Sequence, residues 1–193
     1  MIICLVRHGE TDWNSLGRFQ GREDIPLNQT GIGQVRKTAL YLKNFRWDKI
    51  ITSPLSRAKM SAGIIGMEIG LNEIHEEADF VERDLGEMSG MTRRELDINI
   101  PDRKYNGLEP LEALCERTVN ALHKWVEKFE GMNILIVTHG AAINSILTEI
   151  SGNKIEMGKA IPKNAGVIML EKKRDKLQIL DFCKDEFLSF EKI

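Results

Sequence analysis

No run of 18 apolar residues occurs in the chain, so nothing in it reads as a membrane-spanning helix. Basic residues are not in excess either: 27 Lys and Arg stand against 29 Asp and Glu, a net charge of −2. That balance gives no reason to expect nucleic acid or an acidic membrane surface as a partner. An anionic substrate would have to be drawn in by local arginines instead. The three cysteines, Cys4, Cys115 and Cys183, are odd in number and widely spaced. They suggest neither a disulfide framework nor a CxxC site. The amino terminus lacks the basic region and cleavage site of a leader, and a soluble, cytoplasmic protein is the expectation. Internal repeats, low-complexity tracts and linkers are missing too. For 193 residues, one domain over 1–193 is the economical count.

What is present begins with an apolar run, Met1 to Val6, that stops at Arg7-His8-Gly9-Glu10. A β-branched run of this length reads as a strand buried on both faces, as parallel sheets require. Residues 47–52 and 133–137 read as further strands and end similarly, in polar turns that lead directly into helices. Ser53 followed by Pro54 reads as a cap and first helical position. Asn28 or Thr30 is expected to cap an earlier helix with Ile32, Val35, Ala39 and Leu42 on its apolar face. A long helix carries Leu111, Leu114, Leu122, Trp125 and Phe129 as its core stripe. Residues 12–26 and 101–110 have loop compositions, 91–98 suggests a short helix, and the acidic stretch 73–82 reads mostly as solvated surface. Two late strands are expected at 166–170 and 177–182. The fold class is α/β with a mostly parallel sheet.

In open α/β sheets, ligands bind beyond the carboxyl ends of the strands. If the three strands are neighbours, Arg7, His8, Arg57 and His139 meet at one sheet edge beside helix amino termini. Two Arg and two His there suit a doubly charged oxyanion, phosphate foremost. Arg57 falls in a first helical turn, where a cation costs roughly 0.3–1 kcal/mol. Either it is solvated beside an acidic neighbour, or it and the free amides face a shared anion. A glycine-rich phosphate loop with a following lysine is absent, so nucleoside triphosphate chemistry is not indicated. His8, Glu10 and His139 are of metal-ligating types, but the flanking arginines oppose a cation, and no metal is expected. His75 and His123 read as solvated or packing residues, and Cys4 as core.

The sequence RHGET at 7–11, with Asn14 three positions on, resembles the signature of the histidine phosphatase superfamily, the phosphoglycerate mutase-like proteins. Further motifs follow in that family's order: RFQG at 18–21 with Pro26-Leu27, SPLSRA at 53–58, VERDLG at 81–86 and VTHG at 137–140. The resemblance runs from Ile2 to about Leu170. It implies a three-layer α/β/α fold of the phosphoglycerate mutase-like type. It also implies that His8 is the nucleophile that takes a phosphoryl group. Arg7, Arg57 and His139, with Gly140 of the same motif, would hold the phosphoryl oxygens, and Glu82 would be the proton donor. Asn14, Gln20 and Gly21 lie where the family contacts phosphate or substrate.

Such a site needs neither metal nor cofactor, because Arg and His supply the charge. Where the phosphatase branch usually shows an aromatic and an acidic residue before the second glycine after the acid, this chain reads Met88-Ser89-Gly90. That puts the substrate-side wall in question. The interval from Glu82 to His139 lacks the longer insertion that sugar-phosphate mutases of the family carry, which favours a phosphatase. The expected activity is a metal-independent phosphomonoesterase acting on small phosphorylated metabolites, α-ribazole phosphatase-like or broad in specificity, as monomer or homodimer. The alternatives are a 2,3-bisphosphoglycerate-dependent phosphoglycerate mutase and a non-catalytic phosphate-binding domain.

Overall fold

The computed structural model describes residues 1–174 and 176–181. In chain order they form β1 (Ile2–Arg7), α1 (Asp12–Ser15), α2 (Gln29–Leu42), β2 (Lys49–Thr52), α3 (Ser56–Ile69) and β3 (Ile74–Glu76). Then come α4 (Arg93–Asn99), α5 (Leu111–Lys128), β4 (Ile134–Thr138), α6 (Gly140–Ile150), β5 (Val167–Lys173) and β6 (Lys176–Asp181). The six strands make one sheet in the order β3-β2-β4-β1-β5-β6. β1, β2, β3 and β4 run parallel, while β5 pairs antiparallel with β1 and β6 antiparallel with β5.

The three apolar runs are indeed neighbours, and the central position of β1 and β4 explains their composition. Ile3 to Val6 and Ile134 to Val137 are fully buried, because helices cover both sheet faces. On one face Leu5, Ile51 and Ile136 pack with Leu122, Trp125 and Ile143 from α5 and α6. On the other, Val6, Ile50 and Val137 pack with Val35, Ala39, Ala58 and Ile65 from α2 and α3. Each such aliphatic side chain contributes about 1.5–3 kcal/mol by leaving water. This is the expected three-layer α/β/α arrangement. Among the described residues, no helix is long and apolar enough to cross a membrane.

Several local expectations change. The stretch 12–26 is not all loop: Thr11 caps α1 in a reciprocal capping box with Asn14. Ser53 does not cap α3, which starts at Ser56. Its hydroxyl contacts His139 Nε2 at 2.7 Å instead, and the Asp24 carboxylate accepts the Ser56 N–H at 2.7 Å. Leu111 is 37% exposed, because the first turn of α5 projects past the core to the rim of a cleft. Glu77, within the acidic stretch, is buried and accepts hydrogen bonds from Trp125 Nε1 and Lys124 Nζ. Asn28 caps α2, and a Thr92 capping box opens α4. Phe182, assigned to the last strand, and Cys183 lie outside the described residues.

Candidate active site

The sheet register brings the strand ends level. Arg7 pairs with Thr138 across β1 and β4, and Thr52 pairs with Val137 across β2 and β4. The next residue of each strand, His8, His139 and Ser53, therefore emerges at one edge. Two long-range backbone bonds hold that edge, His8 N–H to the Thr138 carbonyl and Ser53 N–H to the Val137 carbonyl, both at 3.0 Å.

Beyond the edge lies a cleft of about 640 Å³ whose wall includes Arg7, His8, Arg57, Glu82 and Gly140. Asn14, Gln20 and Gly21 line it as well. Every candidate but one thus reaches the cleft wall. The exception is His139, which has no exposed surface and sits behind His8, their ring centroids 5.2 Å apart.

His8 is set up chemically by its surroundings. Its Nδ1 lies 2.6 Å from the Gly9 carbonyl oxygen. That acceptor fixes the proton on Nδ1 and leaves Nε2 with its lone pair. Burial, then the charges of Arg57 and Arg7, hold the imidazole well below its ordinary value of 6.5. The ring is therefore neutral at neutral pH, as a nucleophile must be. His139 is lowered in the same way, by burial, Arg57 and His8, and its Nδ1 has no hydrogen-bond partner.

Arg57 is 1% exposed and lies on the cleft wall, so the reading of a solvated side chain fails. Its Nη1 donates to the Glu23 carbonyl at 2.6 Å and its Nη2 to the Gly21 carbonyl at 2.8 Å. The guanidinium thus fastens the loop bearing Gln20 and Gly21 over α3, and the left-handed turn at Gly21 (φ 53°) permits it. Burial lowers its pKa, opposed by Glu82 and Asp24, but a guanidinium stays charged. Arg7 donates from Nη1 to the Pro162 carbonyl at 2.7 Å. The Glu82 carboxylate accepts from the Ala141 N–H at the start of α6 (3.2 and 3.3 Å) and from the Arg83 N–H (2.9 Å).

The turn after β1 must pass close to α2. A Cβ on Gly9 would lie 2.6 Å from the Gly31 carbonyl oxygen, and one on Gly31 only 2.1 Å from the Glu10 carbonyl oxygen. Two glycines therefore let His8 sit where the chain crosses the helix. Glu10, weighed as a metal ligand, accepts instead from Asn28 Nδ2. Asn14 lines the cleft, but its Oδ1 accepts from the Thr11 N–H and from Asn164 Nδ2, while Gln20 Oε1 is buried without a partner.

Sequence reasoning missed the outer wall, which includes Arg18, Arg83, Asn144, Met157 and Ile161. Asn144 follows Gly140 by one helical turn on the same face, a spacing that could have shown it. Met157 and Ile161 lie in an irregular segment with no such signal.

Comparison with known proteins agrees with this geometry. The family model described as histidine phosphatase superfamily (branch 1) matches residues 3–185. The chain is 45% identical, over 97% of its length and 96% of the relative's, to an uncharacterized phosphatase PhoE of Bacillus subtilis (strain 168). It is 31% identical, over 87% of its length and 79% of the relative's, to phosphoglycerate mutase-like protein 4 of Arabidopsis thaliana. A solved structure of phosphoserine phosphatase from Entamoeba histolytica, in complex with 3-phosphoglyceric acid, superposes with a TM-score of 0.84 at 27% identity. That superposition covers 97% of this chain and 99% of the other.

Proposed function

Because this chain belongs to the histidine phosphatase superfamily, branch 1, we propose that it is a phosphomonoesterase working through a phosphohistidine on His8, with no metal needed. The observation that carries this is the state of His8: a buried, neutral imidazole with Nδ1 engaged by the Gly9 carbonyl, on a cleft wall shared with Arg7 and Arg57.

In the first step the Nε2 lone pair attacks phosphorus and the P–O bond to the alcohol breaks. Glu82 gives a proton to the departing oxygen, a contribution of about 10²–10⁴ in rate. Arg7 and Arg57, on the cleft wall, meet the charge that builds on the equatorial oxygens, while His139, which has no surface on the cleft, backs the His8 ring. In the second step water attacks the phosphohistidine, the Glu82 carboxylate takes its proton, and the P–N bond breaks. Inorganic phosphate leaves and the neutral imidazole returns. Asn14, Gln20, Gly21 and Gly140 would complete the phosphate and substrate contacts.

Small phosphorylated metabolites fit a cleft of this volume, and phosphorylated hydroxy acids such as phosphoserine or 3-phosphoglycerate are the first candidates, given the Entamoeba histolytica neighbour. One domain over residues 1–193 accounts for the activity. The test is hydrolysis of p-nitrophenyl phosphate in EDTA together with an acid-labile phosphoryl label. Both are expected in the wild type and absent from His8→Ala; full turnover by that variant would end the proposal. The mutase-like Arabidopsis relative keeps a second activity in view. With 2,3-bisphosphoglycerate supplied, phosphoglycerate isomerisation faster than phosphate release would make the chain a mutase.

A further inference from the structure

The Glu82 carboxyl group has few contacts of its own. It accepts two backbone N–H groups, and its place in the cleft depends on where the backbone of residues 79–84 runs. That backbone has only one short 3₁₀ turn, Ala78–Phe80, and is held from outside by α5.

Arg117 of α5 is the holder. Its Nη1 donates to the carbonyls of Asp79 (2.7 Å) and Val81 (2.8 Å), and its Nη2 to the carbonyl of Glu82 itself (3.1 Å). The guanidinium is fixed by a bidentate pair with Glu109, Nε to Oε1 at 2.7 Å and Nη2 to Oε2 at 2.9 Å. The Glu109 carboxylate also accepts the Asp84 N–H at 3.0 Å. The Glu109 main chain donates to the Asp84 carbonyl (2.9 Å) and accepts from Arg83 Nε (2.7 Å). Both flanks of Glu82 therefore end on Arg117 and Glu109, whose side chains are 15% and 11% exposed, with Arg22 on the rim pairing with the same Glu109 oxygen at 3.3 Å. Burial alone would raise the Glu109 carboxyl, but the Arg117 hydrogen bond and charge, with the Asp84 N–H, keep it below its ordinary value and ionised. Charge-assisted, bidentate contacts of this kind fix geometry as well as adding energy.

We propose that Arg117, clamped by Glu109, is a positioning residue that sets the reach of the Glu82 carboxyl to the leaving-group oxygen. This rests on Glu82 being the proton donor, as proposed above. Displacing a reacting group by about 1 Å can cost on the order of 10² in rate. The cost should fall on substrates whose alcohol must be protonated as it leaves, and should spare those whose leaving group departs as a stable anion.

The experiment compares single-turnover release of phenol from phenyl phosphate with release of dinitrophenolate from 2,4-dinitrophenyl phosphate. Wild type, Glu82→Gln, Arg117→Gln, Arg117→Lys and Glu109→Gln are measured in parallel. Arg117→Gln is expected to lose roughly 10²-fold on phenyl phosphate and less than about 5-fold on the dinitrophenyl ester, the same split as Glu82→Gln. Lysine, which keeps the charge but not the fork, should show the split more weakly. Arg117→Lys and Glu109→Gln carry the comparison should Arg117→Gln not fold. Equal losses on both esters, or none, in the Arg117 and Glu109 variants while Glu82→Gln retains the split would overturn the positioning role alone. No split in Glu82→Gln would overturn the proton-donor assignment and the positioning role with it.

Discussion

His8 and His139 stand with ring centroids 5.2 Å apart and planes tilted by 57°, and each has a hydrogen-bond partner on one ring nitrogen. Both are held neutral by the same causes, burial and nearby guanidinium charge. The pair thus meets the cleft, through His8, as two uncharged imidazoles beside Arg7 and Arg57.

That arrangement makes stability depend on pH. Both folded-state values lie well below 6.5, so below pH 6.5 the unfolded chain binds protons that the folded chain refuses. The stability contributed is complete above the unfolded value and is lost as pH falls towards the folded ones. Each histidine should cost up to about 1.36 kcal/mol per pH unit over that window. Urea titrations between pH 7.5 and 5.5 measure the slope; the same slope in a His8→Gln/His139→Gln double variant would refute the assignment.

Arg57→Ala frees the Gly21 and Glu23 carbonyls together and, on the proposed mechanism, removes a donor to the phosphoryl oxygens. A loss of about 10²–10³ in kcat/KM is expected, roughly 3–4 kcal/mol of transition-state stabilisation. Arg57→Lys should recover little, since an ammonium cannot span two carbonyls and an anion at once. Steady-state kinetics on p-nitrophenyl phosphate decide it, and an unchanged rate would detach Arg57 from catalysis.

Two glycines of α2 should respond in opposite directions to the same change. Gly31→Ala would push a methyl to 2.1 Å from the Glu10 carbonyl oxygen, whereas a Cβ on Gly33 meets nothing within 4 Å. The first should destabilise by about 1–3 kcal/mol or more and lower activity through the displaced His8 turn. The second should stabilise by roughly 0.8–1 kcal/mol, as alanine does inside a helix. Thermal melts of the two variants give the comparison; equal shifts would mean the crossing is not tight.

Glu77 lies away from the cleft and should matter only to stability. Glu77→Ala leaves the Trp125 indole N–H without its acceptor and is expected to cost about 1–3 kcal/mol. Urea unfolding would show this, with kcat/KM unchanged. Burial raises the Glu77 carboxyl, but Lys124, the Asp79 N–H and Trp125 outweigh that and hold it below its ordinary 4.5. Its contribution is thus present above pH 4.5 and fades as pH falls through the folded value.

Much of the site was legible in sequence because its signals are local. Arg7-His8-Gly9, Ser53-Pro54 and Thr138-His139-Gly140 each follow an apolar run, and a parallel sheet brings such ends together. Where local signals had two uses, the inference failed. Ser53 has the chemistry of a helix cap but partners His139, and Leu111 fits a core stripe but reaches the cleft rim. Glu77 looks like one more surface acid until Trp125 and Lys124, some 50 positions later, close over it.

From the sequence alone came the strand ends, the histidines and arginines placed at them, and the family. Only the tertiary structure decided which imidazole nitrogen is engaged, that His139 stands behind His8, and that Arg117 and Glu109 grip the turn carrying Glu82. The reason is physical. A strand or cap is dictated by neighbours along the chain, whereas burial, proton placement and charge pairing arise between groups that meet only after the sheet has closed.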